Sequence, residues 1–338
     1  MTGESKQLDT PERGVVKSQK GFLSKLLQFF EFREAGILVI FILACIVLSI
    51  ASPYFLTVAN LTNVVRQFSM TAIMAVGMTM VIITGGIDLS VGSIVALSGC
   101  VLAWLLVEGY PIPVAMVVGI LVGIGVGLVN GMLVVGVGLP PFIATLGTMG
   151  IARGLALVIT KGYPIQPLPK EYLFWGQGYL GPIPVPVIVM IIVMLLGHLF
   201  LSRTATGRYI YCIGSNSVAA RLSGIRVGRV LLLVYILSGA MAALAAIILV
   251  SRLSSAQADN GQGWELDVIA ATVIGGTSLA GGEGTIFGSL IGAAMMGVIR
   301  NALVLLRVSV YWQTVVIGVV IVLAVSLDVL RQRRRQLA

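Results

Sequence analysis

Long apolar runs alternate with short polar or glycine-rich breaks along this chain, and most runs are apolar on every side rather than along one stripe. Residues 36–52, 60–84, 90–108, 113–136, 139–160, 183–201, 228–250, 265–279, 284–305 and 311–330 read this way. A helix needs about 20 such residues to cross a bilayer, so the pattern predicts about ten transmembrane helices. The fourth, seventh and tenth runs are clear. The second, eighth and ninth carry polar residues and glycines, so eight spans with re-entrant segments fit nearly as well. The expected fold class is an all-α polytopic membrane protein.

Composition supports that class: 58% of residues are hydrophobic and 10% charged, against about 25% charged in an ordinary soluble domain. One membrane domain over 36–330 is expected between a tail over 1–35 and a basic tail over 331–338. The polar, basic start, with no Ala-x-Ala site after a short apolar core, is not the pattern of a cleavable signal. The net charge of +9 is segregated rather than spread. Lys6, Arg13, Lys17, Lys20, Lys25 and Arg33 lie in the first tail. Arg203, Arg208, Arg221, Arg226 and Arg229 lie in the 203–229 loop, and Arg331, Arg333, Arg334 and Arg335 at the end. With ten spans these segments share one side, and the other side holds only Lys161, Lys170, Arg252 and Arg307. The positive-inside rule then places both termini in the cytoplasm. No nucleic-acid partner is needed to explain the charge.

Several chemistries are disfavoured. Cys45, Cys100 and Cys212 are far apart and form no CxxC, so neither a disulfide framework nor a zinc site is indicated. His198 is the only histidine, which leaves no His-based metal cluster or catalytic pair. No GxxxxGK[ST] motif occurs, so no P-loop for ATP is expected. No nucleophile–base pair can be assembled, and no metal or catalytic residue is assigned.

The polar residues within the apolar runs are therefore the candidates for a solute pathway or gate. They are Asn60, Asn63, Thr84, Asp88, Ser90, Ser93, Asn130, Asp267, Thr277, Ser278 and Asn301. Amides and hydroxyls suit an uncharged polyhydroxyl solute. A proton-coupled carrier calls for chains of acids or histidines within its spans, and only Asp88 and Asp267 qualify. An ion-coupled carrier is thus weakened but stays open. Asp88 has two readings. A lone carboxylate within a span costs about 2.5–3.5 kcal/mol and suggests a pathway. Near the cytoplasmic end of a broken helix, it would instead cap the backbone of the helix starting at Leu89 or Ser90; the span pattern favours this cap.

Three further patterns stand out. Gly123, Gly127 and Gly131, like Gly284, Gly288 and Gly292, recur every four residues and predict close helix packing. Gly85-Gly86-Ile87-Asp88-Leu89 is echoed by Gly275-Gly276-Thr277-Ser278-Leu279, a weak sign of an internal repeat. The 161–182 loop holds Tyr163, Tyr172, Trp175 and several prolines, which suits either an aromatic belt at the bilayer surface or an external docking surface. In the 203–229 loop, Asn216 or Ser215 can cap a short helix over 217–223 and Gly224 can end it. That helix reads equally as a partner contact, through its small Ala219-Ala220 face, or as an ordinary positive-inside loop.

At this point the residues match a family. Ala72–Ser93, Gly207-Arg-Tyr-Ile-Tyr211, Ala219-Ala-Arg-Leu-Ser-Gly-Ile225, Arg252-Leu-Ser-Ser-Ala-Gln257 and Glu265–Gly282 resemble the membrane subunit of ribose-type ABC sugar importers, over about 36–328. The resemblance implies an ABC importer permease fold in the bacterial inner membrane, a homodimer, and import of a monosaccharide such as ribose. It implies a cytoplasmic ATPase partner that binds ATP and magnesium, this chain holding no cofactor, and a periplasmic or lipid-anchored sugar-binding protein. It implies an ATPase-coupling segment over Ser215, Asn216, Ser217, Ala219, Ala220, Arg221, Leu222, Ser223, Gly224 and Ile225, with Arg221 and Arg226 facing ATPase carboxylates. The binding protein would dock near Tyr163, Tyr172, Trp175, Arg252, Ser254, Ser255 and Gln257. Other small solutes within the same class stay open.

Overall fold

The computed structural model describes residues 33–337. Lys6, Arg13, Lys17, Lys20 and Lys25 of the expected N-terminal tail lie outside the described residues. The chain begins with α1 (Arg33–Ala51), α2 (Val58–Ile83), α3 (Val91–Val107), α4 (Ile112–Met132) and α5 (Pro141–Thr160). α4 continues into a π-helical turn over Leu133–Val137. A long loop then carries α6 (Phe174–Gln177) and a hairpin of β1 (Tyr179–Leu180) with β2 (Ile183–Pro184). Next come α7 (Val185–Arg203), an elbow of α8 (Ala205–Ser215) and α9 (Ser217–Leu222), and α10 (Val227–Leu253). α11 (Trp264–Ile274), α12 (Ile286–Leu305) and α13 (Val310–Leu337) complete the chain. The expected basic tail over 331–338 therefore continues α13 as helix as far as Leu337.

Local chemistry sets these ends. Thr57 caps α2 by accepting from Asn60 N, and prolines open the first turns of α4, α5 and α7, where the missing N–H costs nothing. A helix stands at each expected span, but the helices are unequal. α2, α4 with its π turn, α5, α7, α10 and α12 are long and apolar enough to cross a membrane, whereas α1, α3 and α13 hold shorter apolar stretches. The 265–279 span is corrected. α11 has 11 residues, about 16 Å at 1.5 Å per residue and only half of a ~30 Å hydrocarbon core. It stops because Gly276 takes a left-handed φ of 90°.

α2 and α10 form the centre. From Ser69 to Ile83 every residue of α2 except Thr71 is buried, and α10 is buried along most of its length. Glycines bring the neighbours close. A Cβ at Gly123 would collide with the backbone of Gly239, one at Gly127 with the Tyr235 carbonyl, and one at Gly131 with Leu232. The same holds for Gly288 against Gly275 and Gly292 against the Ala271 carbonyl. The first series thus packs α4 on α10, and Gly288 and Gly292 pack α12 on α11, whereas Gly284 lies in the loop before α12, at φ 158° and against Thr277. Large apolar side chains of α1, α4, α5 and α7 face outward, as lipid contact demands.

Candidate functional site

Two helix breaks organise the polar residues, and they are the same turn. At the end of α2, Gly85 N donates to Ile82 O and Gly86 N to Val81 O; Gly85 is left-handed at φ 81°. At the end of α11, Gly276 N donates to Val273 O and Thr277 N to Thr272 O. Gly85 therefore corresponds to Gly276 and Gly86 to Thr277. The sequence echo, which pairs Gly85 with Gly275, is out of register by one residue, because side-chain likeness does not report which glycine carries the positive φ.

Asp88 lies beyond the first break and is fully buried. Its Oδ1 accepts from the backbone N–H (2.9 Å) and hydroxyl (2.6 Å) of Ser90, and its Oδ2 from the Ser238 hydroxyl at 2.7 Å. The Asn130 amide donates to Ser90 Oγ at 2.8 Å, and the Thr148 hydroxyl donates to Asn130 Oδ1. Ser93 closes the turn by donating to Ser90 O. Five of the residues that the sequence marks or that join them, Asp88, Ser90, Ser93, Asn130 and Ser238, are at most 1% exposed. The chain thus ties the start of α3 to α4, α5 and α10 through side-chain hydrogen bonds. No water-filled space is needed to satisfy the carboxylate, since every lone-pair direction used points at a protein donor.

Asp88 thus meets the backbone at the start of α3, through Ser90 N–H. Ser238, its partner, stands about 16 Å along α10 from Val227 at 1.5 Å per residue, so Asp88 is well inside the helix bundle rather than at its edge. Irregular backbone at such depth is tolerated only where protein surrounds it. Tyr235, one turn before Ser238, is also fully buried; its hydroxyl, beside Gly86, has no hydrogen-bond partner. The sequence signals Ser238 only as a hydroxyl within an apolar helix, and gives no sign of Tyr235 beyond its polar tip.

The other marked residues are scattered. Thr84 turns its hydroxyl back to Val81 O. Thr277 and Ser278 are buried at the second break, where Ser278 N donates to Glu283 O. At the opposite end of the bundle, Asn60 and Asn301 exchange amide hydrogen bonds of 3.0 and 2.7 Å, joining α2 to α12. Asp267 pairs with Arg300. Asn63 is exposed.

The α8–α9 elbow touches both breaks. A Cβ at Gly214 would strike the Ile83 carbonyl, and that same carbonyl accepts from Gly282 N at 2.8 Å. The Tyr211 hydroxyl donates to Gly284 O at 2.7 Å. The last turn of α8, the end of α2 and the loop after α11 thus meet at one point. α9 forms where expected: Asn216, not Ser215, caps it by accepting from Ala219 N at 2.9 Å, and Gly224 ends it at φ 83°. Its orientation differs from expectation. Ala220 is 4% exposed and faces the fold, whereas Val218 and Leu222 are 68% and 84% exposed. Four residues apart, those two make an outward apolar pair beside Arg221.

On the far side, the two candidate docking segments are joined. Ile165 and Ala256 exchange backbone hydrogen bonds, and the Gln177 amide donates to Ser251 O, Arg252 O and Ser254 Oγ. Arg66 of α2 donates to Gln177 O and lies 4.4 Å from the centre of the Tyr179 ring. Tyr163 is exposed, and Trp175, Arg252, Ser254 and Gln257 are partly so. Tyr172 is corrected: it is fully buried, its hydroxyl donating to Ile247 O at 2.6 Å, so it anchors the loop from beneath. Ser255 is buried as well.

The arrangement is a set of sealed helix breaks coupled to an exposed elbow, with no assembled catalytic group among the described residues. Residues 60–325 match the family of branched-chain amino acid transport system / permease components. The ribose import permease protein of Bacillus subtilis (strain 168) is 47% identical over 86% of this chain and 90% of its own length. That of Escherichia coli (strain K12) is 46% identical, over 87% and 93%. The D-allose transport system permease protein of Escherichia coli (strain K12) is 44% identical, over 85% and 90%. No solved structure matches the chain. With its apolar helices, this likeness makes the chain a multi-pass protein of the bacterial inner membrane. It belongs to the branched-chain amino acid transport system / permease component family, among the ribose-type ABC sugar permeases.

Proposed function

We propose that this chain is the membrane-spanning subunit of an ATP-driven importer that takes a monosaccharide, ribose or a similar pentose, into a bacterial cell. The observation that carries it is the 46–47% identity, across nearly the whole chain, to permeases named for ribose. The family description names branched-chain amino acids, but the relatives described above are named for sugars. The allose permease supports a hexose as the second reading.

In this reading the helices of 36–330 cross or enter the bilayer about ten times and both termini are cytoplasmic. Two copies pair, with the solute crossing between them. A separate ATPase binds ATP and magnesium, and this chain does no covalent chemistry. The elbow is the ATPase contact, through Val218, Arg221 and Leu222 rather than Ala220. The Gly214–Ile83 and Tyr211–Gly284 contacts support a mechanical route from elbow to helix breaks. The joined 161–184 and 252–262 segments face outward and receive a sugar-binding protein, with Tyr163 and Trp175 on its side. Asp88 holds the start of α3 in place and does not touch sugar.

Reconstitution tests the whole reading. Proteoliposomes holding this chain, an ATPase subunit and a ribose-loaded binding protein are expected to take up labelled ribose only with internal or external ATP at the ATPase. Uptake by this chain alone under a sodium or proton gradient refutes it.

A further inference from the structure

Two grooves follow one another along one face of α10. The first, about 570 Å³, opens between α8 and the start of α10, where Thr206, Tyr209, Ser223, Arg226 and Arg229 line it. The second, about 210 Å³, is walled by Val193 and Phe200 of α7, Met80 of α2, and Leu237 and Met241 of α10. Arg229, Leu233, Leu237 and Met241 are four residues apart, which is one stripe on α10, and Arg226 stands just before it at the N-cap. With Arg226 included, the stripe runs about 22 Å to Met241 at 1.5 Å per residue. Its chemistry changes once along that length. Hydroxyls and two guanidinium groups lie at one end, and hydrocarbon at the other.

Charge decides what fits. Arg226 and Arg229 are exposed and make no ion pair among the described residues. One leaflet offers about 15 Å of hydrocarbon, half of a ~30 Å core, so the stripe covers a leaflet with its cationic end at the interface. A carboxylate on a protein surface would satisfy the arginines but leave the apolar half empty. A zwitterionic lipid would fill the apolar half and offer a phosphate, but its own ammonium group would sit beside two guanidinium groups, so a lipid with a net negative headgroup fits better.

We propose that this stripe holds one anionic phospholipid, its phosphate between Arg226 and Arg229 and one acyl chain along Leu233, Leu237 and Met241. The proposal rests on the membrane-subunit reading, because it needs the α8 end of α10 at the bilayer surface. It takes Arg226 away from the ATPase contact and leaves Arg221 there.

The test is native mass spectrometry of the full-length protein in detergent, titrated with palmitoyl-oleoyl phosphatidylglycerol or phosphatidylcholine. Wild type is expected to retain phosphatidylglycerol preferentially. R226Q/R229Q is expected to lose about 30-fold in affinity for it, from about 1 kcal/mol per basic residue, and clearly less for phosphatidylcholine, whose ammonium already offsets its phosphate. R226K/R229K is expected to keep the preference. L237W, which fills the apolar groove, is expected to weaken phosphatidylglycerol with both arginines present. Excess inorganic phosphate is expected not to displace the lipid. Equal phosphatidylglycerol retention by wild type and R226Q/R229Q overturns the proposal. So does displacement by phosphate, or loss of ATPase co-purification in R226Q/R229Q with lipid retention unchanged. Should the glutamine pair fail to fold, normal retention by L237W overturns it. Failure on any of these leaves ATP-driven ribose uptake standing, so the two readings fall separately.

Discussion

Asp88 shows what a single buried carboxylate does when its donors are all protein. Asp88→Ala strands the Ser90 N–H and two hydroxyls, and buried unsatisfied groups cost about 1–3 kcal/mol each. A loss of about 2–4 kcal/mol is expected once the hydroxyls find other acceptors, read as a lower unfolding midpoint in detergent. Asp88→Asn keeps an acceptor for Ser90 N, and Ser238 can turn its hydroxyl to accept, so stability and uptake are expected to stay near wild type. A folded, assembled Asp88→Asn protein without uptake would show the charge acting on the solute. The motif around Asp88 is plain in the sequence. Its partner Ser238, 150 residues on, is not, because nothing local marks one serine in an apolar helix as a receiver.

The elbow is where element geometry matters. α9 is legible from Asn216 and Gly224 alone, since capping and a positive φ are local chemistry. Which face turns outward is not, because α9 is only six residues long and too short for periodicity to settle. Ala220→Trp is therefore expected to unfold or misplace the elbow, detected as loss of monodisperse protein, rather than to block a partner's groove. Leu222→Asp is expected to leave the fold intact and reduce ATPase co-purification severalfold. Tyr211→Phe removes the bond to Gly284 O and keeps the ring. ATPase association is expected to persist while sugar moved per ATP falls. Unchanged stoichiometry would remove Tyr211 from the route between elbow and breaks.

At the scale of the molecule, sidedness follows from charge and can be read chemically. Cys212 on α8 is exposed, whereas Cys100 is buried and Cys45 partly so. A membrane-impermeant maleimide is expected to label Cys212 in inside-out vesicles and not in intact cells. Labelling from outside would invert the topology, and with it the assignment of elbow and docking loops. Packing at this scale also depends on glycine. Gly127→Val places side-chain atoms on the Tyr235 carbonyl, and overpacking of this kind costs about 1–3 kcal/mol; a lower thermal midpoint is the expected readout.

Sequence alone determined the membrane class, the positions of nine apolar helices among the described residues, most of the glycine packing contacts, the short capped helix at the elbow and the family. These follow from local hydropathy, local φ preferences and long contiguous motifs. Tertiary structure decided the rest. It halved α11, because a span is defined by where a turn stops it and not by apolar composition. It shifted the internal echo by one residue, buried Tyr172 and Ala220, and joined Asp88 to Ser238 and the elbow to both breaks. Each of those depends on which distant surface a side chain meets, and a chain apolar on every side carries no periodic signal to say so.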